Sequence, residues 1–505
     1  MGGKRCHGSA QTLAKRNDAR VVWAMDALVE CLIEGEAALE RGEYSHAVVA
    51  FTRALKAAPA ESAIALMLAN AHRLAGDTIA SRAVLLSAFH TSLPSDPKQR
   101  YAFGAALLDA GAPLEASECF TLVVKALPKD PAALAALAGA RRTLGQAAEA
   151  WPLIQRALVS STTHPAYLLT AAQIRHDMGD RKGALRWLDM ADSVRGGHGP
   201  TQLQRAYTTM LGGLSAEGWR LFESRPRPVP ATSARAWSGE PLTGGSILVT
   251  AEQGVGDQFQ FLRFVPLLAK RLPARIVLEC HADAVSLLTS NGIDAVARGN
   301  PPETDWHVPL LSLPHILGLG DAVLGDAVPY LRALQNYSAL PLPQAPPEGL
   351  RLGLIWAGNP AFSGRVTRDL DLSLLPELLD IPRVTWVSLQ QGAIDPAVQA
   401  GLAGVHLLPP LADWATTAAI LAQLDGLVTT DTGIAHLAGA MGVRTWVMLQ
   451  HVPDWRWGLT GETTPWYPTL TLVRPKASRD WGSVVAKVRG MIQAHIAESA
   501  PGGDR

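Results

Sequence analysis

Six glycines recur along the first half of the chain at an almost constant spacing. They are separated by 34, 35, 34, 34 and 34 residues, and they are Gly42, Gly76, Gly111, Gly145, Gly179 and Gly213. A fixed period of this length is typical of repeat architectures, in which every unit is one small supersecondary element. The period constrains the fold of this half of the chain more strongly than composition does.

Two other positions recur in register with the glycines. A small residue follows each glycine by five positions and a large apolar residue follows it by nine, namely Ala47 and Phe51, Ser81 and Leu85, Ala116 and Phe120, Ala150 and Ile154, Ala184 and Leu188, and Gly218 and Phe222. The small residue permits close contact between helices, and the apolar residue marks a recurring buried face. This pattern therefore predicts that each unit consists of a helix, a turn and a second helix. Because one such pair cannot bury its apolar face alone, five or six pairs should stack into a superhelix with a concave groove.

These landmarks resemble the tetratricopeptide repeat, and the resemblance covers about residues 30 to 225. We assign residues 30–228 to a tetratricopeptide α-solenoid and residues 1–29 to a disordered leader. Two roles are open for the array. It is either a spacer or dimerisation platform, or, as we favour, a surface that binds a partner or acceptor protein.

Charge and cysteine content exclude several classes of protein. Lys plus Arg and Asp plus Glu number 45 each in 505 residues, so no overall basic field attracts nucleic acid. The sequence contains no uninterrupted apolar stretch of about 18 residues, the length needed to span a membrane. The four cysteines, Cys6, Cys31, Cys119 and Cys280, show neither disulfide nor zinc spacing. We expect a cytoplasmic protein without nucleic-acid partners or stable membrane insertion, and a homodimer is compatible with the sequence.

Beyond Pro230 the pattern changes to short apolar strands that alternate with helices, as in parallel α/β proteins. We predict two lobes, residues 235–340 and 351–495, joined by a proline-rich linker at 341–350 and followed by a tail at 496–505. The predicted strands are 247–251, 275–279 and 306–308 in the first lobe, and 352–356, 385–389, 426–429 and 445–449 in the second.

A short glycine turn follows the first strand of the first lobe. It contains Gly254, Gly256 and Asp257 at the start of a helix. The glycines would let the backbone approach a substrate, and the Asp257 carboxylate could act as a general base. Alternatively, Asp257 only caps the helix and the glycines only form the turn.

A second turn joins the strand 426–429 to a helix of the second lobe. Asp431, Thr432 and Gly433 lie at the N-terminus of this helix, and His436 lies one turn further on. Free N–H groups and the helix dipole make such an end suitable for a pyrophosphate, with the threonine hydroxyl and the imidazole as additional donors. Capping alone would explain Asp431 and Thr432 separately.

A third segment follows the strand 352–356. It carries Trp356 and Asn359, and then Arg365 and Arg368 on a flexible loop where they could pair with phosphate oxygens, unless they are only solvated surface residues. The adjacent Asp369 and Asp371 superficially match an Asp-x-Asp metal site. No other residue nearby completes a metal shell, so we expect Asp371 to cap the next helix and expect no metal site.

Two further parts of the second lobe complete the expected donor site. Gln390 follows the strand 385–389, and Asp454 and Trp455 belong to an aromatic segment that continues to Tyr467. Its rings would either stack on a base or sugar, with Asp454 accepting hydrogen bonds from hydroxyl groups, or pack the chain where it crosses between the lobes.

Together, the segments 253–257, 261–268, 356–360, 431–437 and 453–457 resemble bacterial tetratricopeptide-repeat glycosyltransferases related to heptosyltransferases, over nearly the whole chain. The resemblance implies a GT-B fold of two Rossmann-like lobes and inverting, metal-independent transfer without a cofactor. It implies a nucleotide-sugar donor on the second lobe and an acceptor facing the first. It also implies that Asp257 is the base and that Asp431, Thr432, Gly433 and His436 lie at the donor phosphates.

Two departures from heptosyltransferases affect the expected acceptor. Those enzymes lack the repeat array, and a lysine often serves their donor phosphates where this chain has Arg365 and Arg368. Because relatives that carry repeats include transferases that modify proteins, we expect a protein acceptor such as flagellin, recruited by the repeat groove. The alternatives are a lipopolysaccharide or glycolipid sugar transferase and a non-catalytic repeat scaffold.

Overall fold

The computed structural model describes residues 26–321, 327–334, 340–358, 365–392, 398–399 and 401–499. Its contacts divide the chain into unit 1, Met1–Thr162, and unit 2, Thr163–Arg505.

Unit 1 consists of helices that follow one another in pairs. They are α1 (26–40), α2 (Tyr44–Ala57), α3 (Ser62–Leu74), α4 (Thr78–Thr91), α5 (Pro97–Asp109), α6 (Pro113–Ala126), α7 (Pro131–Thr143) and α8 (Ala147–Ser160). Residues 26–29, which we assigned to the leader, already belong to α1. The rest of the predicted leader lies outside the described residues.

Local sequence explains where these helices begin and end. The turn glycines Gly42, Gly76, Gly111 and Gly145 have φ between 72° and 84°, which glycine adopts more readily than other residues after a helix. Side chains of Asp77, Asp96 and Asp130 accept hydrogen bonds from the first-turn N–H groups of α4, α5 and α7. The repeated apolar positions Phe51, Leu85, Phe120 and Ile154 are at most 1% exposed. The predicted helical repeat is therefore confirmed.

Unit 2 begins with four more helices of the same repeat, α9 (Pro165–Asp177), α10 (Arg181–Val194), α11 (Gly199–Met210) and α12 (Ala216–Phe222). Trp219 of α12 packs edge-on against Phe261 and Trp455, with ring centroids 5.9 Å and 5.7 Å away. The predicted boundary at residue 228 therefore differs from the boundary between the units, because the last helices share an apolar core with the α/β region.

The first sheet of unit 2 is entirely parallel and runs in the order β1-β5-β2-β3-β4. Its strands are β1 (Arg235–Ala236), β2 (Ser246–Thr250), β3 (Arg275–Cys280), β4 (Ala295–Ala297) and β5 (Trp306–Pro309). The intervening helices are α13 (Val255–Phe261), α14 (Val265–Arg271), α15 (Val285–Ser290) and α16 (Leu313–Ile316), with 3₁₀ turns at Leu262–Phe264, Ala282–Ala284 and Leu310–Ser312. The three predicted strands are present, and β1 and β4 are strands that we did not predict.

The second sheet is also parallel and runs in the order β11-β10-β9-β6-β7-β8. Its strands are β6 (Leu350–Ile355), β7 (Val384–Ser388), β8 (His406–Leu407), β9 (Gly426–Thr430), β10 (Thr445–Met448) and β11 (Leu470–Val473). The helices around this sheet include α17 (Arg365–Arg368), α18 (Leu375–Leu379), α19 (Trp414–Leu421), α20 (Gly433–Met441) and α21 (Trp481–Ser499), with 3₁₀ turns at Leu372–Leu374 and Trp455–Trp457. Residue 350, the last of the predicted linker, starts β6. The predicted tail at 496–505 is also too long, because α21 continues to Ser499.

Strand order identifies one crevice in each sheet. The order reverses between β2 and β5 in the first sheet and between β6 and β9 in the second. Loops leave the carboxyl ends of such neighbouring strands in opposite directions, and ligands of doubly wound sheets bind in the gap between them. The three glycine-bearing turns predicted from sequence follow β2, β6 and β9, so all three lie at these reversals.

Candidate functional site

The starts of α13 and α20 lie against each other and bring the two sheets together. A Cβ atom on Gly256 would lie only 2.8 Å from the Cα of Gly433, a separation that real Cβ atoms do not adopt. A Cβ on Gly433 would be less crowded, at 3.4 Å from the backbone nitrogen of Gly256. In this structure the absence of a side chain at Gly256 thus serves the contact between the helices, whereas sequence predicted an approach to substrate.

The Asp257 carboxylate lies at this contact and has two partners. Its Oδ2 accepts a hydrogen bond of 3.0 Å from the backbone N–H of Gly254, and its Oδ1 pairs with the guanidinium of Arg456. The side chain is 20% exposed, so solvent or a substrate reaches part of it. Asp257 therefore caps α13, as the simpler interpretation predicted, and part of its carboxylate stays accessible.

Arg456 is the charged centre of the site. Its Nη1 donates to Asp454 at 2.8 Å and its Nε donates to Gln260 at 2.7 Å, while Nη2 holds Asp257. Burial acts to lower the pKa of this guanidinium, but the carboxylates of Asp454 and Asp257 outweigh it and raise the pKa. A permanent positive charge therefore joins two carboxylates that come from different sheets.

Asp431 and Thr432 lie where β9 turns into α20, as predicted. Thr432 is the N-cap residue, and its hydroxyl lies 2.9 Å from that of Thr429. Burial raises the pKa of Asp431, and the positive charge of Arg368, 3.9 Å away, opposes this effect. Arg368 belongs to the short helix α17, so the structure corrects our prediction of a flexible loop at this residue.

The turn after β6 reaches the same place from the neighbouring strand. A Cβ on Gly358 would lie 3.7 Å from the Thr432 side chain and 3.6 Å from Arg368. The side-chain oxygen of Gln390 accepts from the N–H groups of Trp356 at 3.3 Å and Ala357 at 3.1 Å. Gln390 thus holds the backbone of the turn after β6, which is a positioning role in this structure.

His436 is buried beside the contact between α13 and α20. Its ring stacks on Trp457 at 5.2 Å, and its Nδ1 lies 3.1 Å from the hydroxyl of Tyr467. Burial, with the positive charges of Arg456, Arg263 and Arg368, holds the pKa of His436 well below its usual range. The imidazole is therefore neutral at pH 7, and a phosphate would meet a polar ring without charge.

Two predicted ligand-binding tryptophans have side chains in apolar cores. Trp356 and Trp455 are each 4% exposed. Trp356 belongs to an apolar cluster that packs against the second sheet, and Trp455 packs against Trp219 and Phe222. For Trp455, packing of the crossover is the alternative that the structure adopts. Protein covers the faces of both indoles, and contact of these two residues with a nucleotide sugar stays a prediction.

The remaining predicted residues have different outcomes. Asn359 lies outside the described residues, and only the backbone of Arg365 is described, in α17. Asp371 accepts a hydrogen bond of 3.0 Å from the N–H of Ser373, which confirms the predicted cap. Among the described side chains, no group of three or more His, Cys, Asp or Glu residues could hold a metal ion.

Sequence reasoning missed the buried arginines that connect the sheets. Arg263 donates to the carbonyl of Trp466 at 2.7 Å and to the hydroxyl of Tyr330 at 3.1 Å, and Arg456 joins Asp257 to Asp454. In the sequence Arg456 lies between Trp455 and Trp457, and Arg263 directly precedes Phe264. That flanking was the available signal, since guanidinium groups stack on aromatic rings.

Fold and site together define a protein in which a helical repeat array precedes two parallel α/β sheets with a polar crevice. No family model matches the chain. Protein FlbA of Caulobacter vibrioides is a similar protein, 25% identical over an alignment of 356 residues that covers 62% of this chain. The match covers 59% of the length of Protein FlbA.

Two solved structures of helical proteins match a part of this chain. A tetratricopeptide repeat protein from Parabacteroides merdae has a TM-score of 0.33, 13% identity and coverage of 39% of this chain and 84% of its own. MamA has a TM-score of 0.29 at 14% identity over 34% of this chain and 92% of its own. Scores of this size do not establish a shared fold, so the helical repeat is assigned from the helices themselves. None of the described helices is long and apolar enough to cross a membrane.

Proposed function

We propose that the chain is a glycosyltransferase of the GT-B type that moves a sugar from a nucleotide-sugar donor to a hydroxyl acceptor. The observation that carries the proposal is the meeting of three chain segments at the crevices, namely the turns after β2, β6 and β9. They bring a partly exposed carboxylate, Asp257, close to a helix start that suits phosphate.

The donor would bind at the reversal between β6 and β9. The first N–H groups of α20 have no intrahelical acceptor, and the dipole of this helix favours a negative group at its start. Arg368, next to Asp431, would supply a guanidinium for the phosphates. Both features stabilise the negative charge that develops on a departing nucleotide.

Asp257 would remove the proton of the acceptor hydroxyl. Each oxygen of an ionised carboxylate accepts about two hydrogen bonds, so Oδ2 retains capacity beyond its bond to Gly254. Arg456 fixes the other oxygen and thereby the orientation of the carboxylate. Arg456 is in this scheme a positioning residue.

The acceptor would be a protein held by the repeats. Stacked helical repeats form extended concave surfaces that serve as binding sites for peptides and proteins. Flagellin is one candidate acceptor. Deletion of residues 1–162, up to the boundary between the units, should reduce modification of the acceptor protein more than binding of the nucleotide, whereas a deletion to residue 230 would also remove Trp219 and Arg225 from the core of unit 2.

The test is sugar transfer measured by mass spectrometry with a panel of nucleotide sugars, comparing Asp257→Asn with the wild type. Loss of a general base lowers rates by about 10²- to 10⁴-fold. Asp294→Asn is the matched control, because Asp294 forms an exposed pair with Arg275. Wild-type turnover by Asp257→Asn under chemistry-limited conditions would show that Asp257 is not the base.

Donor binding is tested separately by calorimetry. Arg368→Ala should weaken nucleotide binding about 10- to 100-fold, the usual effect of losing a charged hydrogen bond. Arg383→Ala is the control, since Arg383 pairs with Glu348 on the surface. The alternative is a non-catalytic repeat scaffold. One observation favours it, namely that the Asp257 carboxylate is already paired with Arg456. Failure of every nucleotide sugar to bind the folded wild type would favour that scaffold.

A further inference from the structure

The turn after β2 contains a non-glycine residue in the left-handed conformation. Gln253 has a φ of 54°, in a region that residues other than glycine, asparagine and aspartate rarely adopt. Such a backbone conformation raises the free energy of the folded state, and it persists only where the surrounding structure enforces it. Residues of this kind are concentrated at active sites and at segments that hold ligands.

Two hydrogen bonds hold the peptide group between Gln253 and Gly254. Its carbonyl oxygen, which belongs to Gln253, lies 3.2 Å from Nε2 of His281, the residue that follows β3. A carbonyl oxygen can only accept, so this Nε2 carries the proton. On the other side, the N–H of Gly254 donates to the Asp257 carboxylate at 3.0 Å. The two partners therefore restrain the turn in which Gln253 lies.

The side chain of Gln253 takes no part in this arrangement. It is exposed, and it forms no hydrogen bond or ion pair with any residue of the described ranges. A glycine would adopt the same backbone at lower free energy and would keep both hydrogen bonds of the peptide group. No polar contact within the described part of the chain compensates for a glutamine at this position. Its amide is therefore available to a group outside the protein.

Three other non-glycine residues of the described ranges have a positive φ, and their positions differ from that of Gln253. Glu348 and Arg383 precede β6 and β7, at the amino ends of these strands, and they pair with each other at 3.6 Å. Arg479 precedes the helix α21. Of these four residues, Gln253 alone follows a parallel strand at its carboxyl end, the edge at which doubly wound sheets bind ligands.

The chemistry of the amide and its position indicate the ligand group. An amide carries an acceptor oxygen and two N–H donors, so it suits uncharged groups that both donate and accept, such as a peptide group or a hydroxyl. Gln253 lies four residues before Asp257, in the same turn of the first sheet. The proposed donor site lies at the start of α20, beside the second sheet. The substrate that must approach Asp257 is the acceptor, whose hydroxyl loses its proton there.

We infer that Gln253 is a substrate-binding residue whose side-chain amide hydrogen-bonds an uncharged polar group of the acceptor, beside the hydroxyl that receives the sugar. The inference rests on the proposed sugar transfer, and it assigns to the acceptor a contact on the first sheet. Because the turn is already held by His281 and Asp257, binding does not have to order the backbone that carries the amide.

Steady-state kinetics of the full chain test this contact. The acceptors are flagellin and peptides that contain serine and threonine, and the donor is the nucleotide sugar that the wild type uses. Gln253→Met keeps the length of the side chain and removes the amide, whereas Gln253→Gly removes the whole side chain. Both variants should raise the KM for the acceptor about 3- to 10-fold, the effect of losing one neutral hydrogen bond. The Kd of the nucleotide should not change.

Thermal unfolding separates substrate binding from a structural role. Gln253→Gly relieves the left-handed conformation, so its melting temperature should equal or exceed that of the wild type while its KM for the acceptor rises. Glu348→Gly relieves the same conformation at the amino end of a strand and should keep the wild-type KM. Gln493→Met, at an exposed position of α21, is the matched control for the loss of an amide and should also keep it.

Three results would overturn the inference while sugar transfer by the wild type stands. The first is a wild-type KM for the acceptor in both Gln253 variants. The second is an increase in Gln253→Gly alone, which would assign the effect to the backbone. The third is weaker nucleotide binding or a lower melting temperature in Gln253→Met, which would indicate a donor contact or a structural role. Absence of transfer by the folded wild type to every acceptor would overturn the proposed function, and this inference with it.

Discussion

Arg225 connects the last repeat helix to the first sheet, and its removal should destabilise unit 2 strongly. It follows α12, and its guanidinium donates to Glu252 after β2 and to Ser312 after β5, at 2.7 Å and 2.8 Å. The side chains of Arg225 and Glu252 are 0% and 2% exposed. Breaking a buried ion pair by removing one partner costs about 3 to 5 kcal/mol, because the other charge stays buried. We expect a loss of this size for Arg225→Met.

The assay is urea-induced unfolding of the full chain, followed by tryptophan fluorescence. Of the 14 tryptophans, only Trp23 and Trp151 belong to unit 1, so the signal reports mainly on unit 2. Arg220→Met is the matched control, because Arg220 forms an exposed pair with Glu217. Such pairs contribute at most about 1 kcal/mol.

A double variant separates the pair from its surroundings. Arg225→Met with Glu252→Met removes both charges, and replacing a buried pair by apolar residues is often neutral or stabilising. The double variant should therefore be more stable than Arg225→Met alone. If Arg225→Met and Arg220→Met lowered the free energy of unfolding equally, the reasoning that Arg225 joins the last repeat to the first sheet would be refuted.

Two further predictions concern the contact between α13 and α20. Gly256→Ala should lower the free energy of unfolding in urea by about 1 to 3 kcal/mol, because the added Cβ would meet Gly433. Gly490→Ala is the control and should not lower the free energy of unfolding, since nothing lies within 4 Å of its added Cβ. His436 has a folded-state pKa below its unfolded value, so the unfolded state binds more protons below about pH 6.5 and the free energy of unfolding falls as the pH decreases. His436→Gln should flatten this decline between pH 7 and pH 5, and an unchanged pH profile would contradict the buried, neutral imidazole.

Much of the fold could be predicted because it depends on local chemistry. The glycine period identified the turns, which adopt the left-handed conformation, and the apolar positions nine residues later are buried. Strand and helix alternation located most strands of both sheets. The short strands β1 and β8, of two residues each, carry too little periodicity to be recognised in the sequence.

The candidate site was predicted only in part, for a physical reason. Turns after strands could be placed on the sheet edges, since parallel strands bring their carboxyl ends together. The burial of Trp356 and Trp455 could not be predicted, because an indole suits a ligand site and a core equally well. Nor does sequence indicate that Gln390 supports the turn after β6 from the neighbouring strand.

By itself the sequence determined the repeat period, the helix ends and the alternation that produces two parallel sheets, because each depends on residues close together in the chain. Only the tertiary structure decided which charges meet. Arg456 and Asp257 are 199 residues apart in the chain and form an ion pair, and Arg225 reaches Ser312 over 87 residues. Pairings of this kind have no period in the sequence, since they arise when the two sheets and the last repeat pack around a common core.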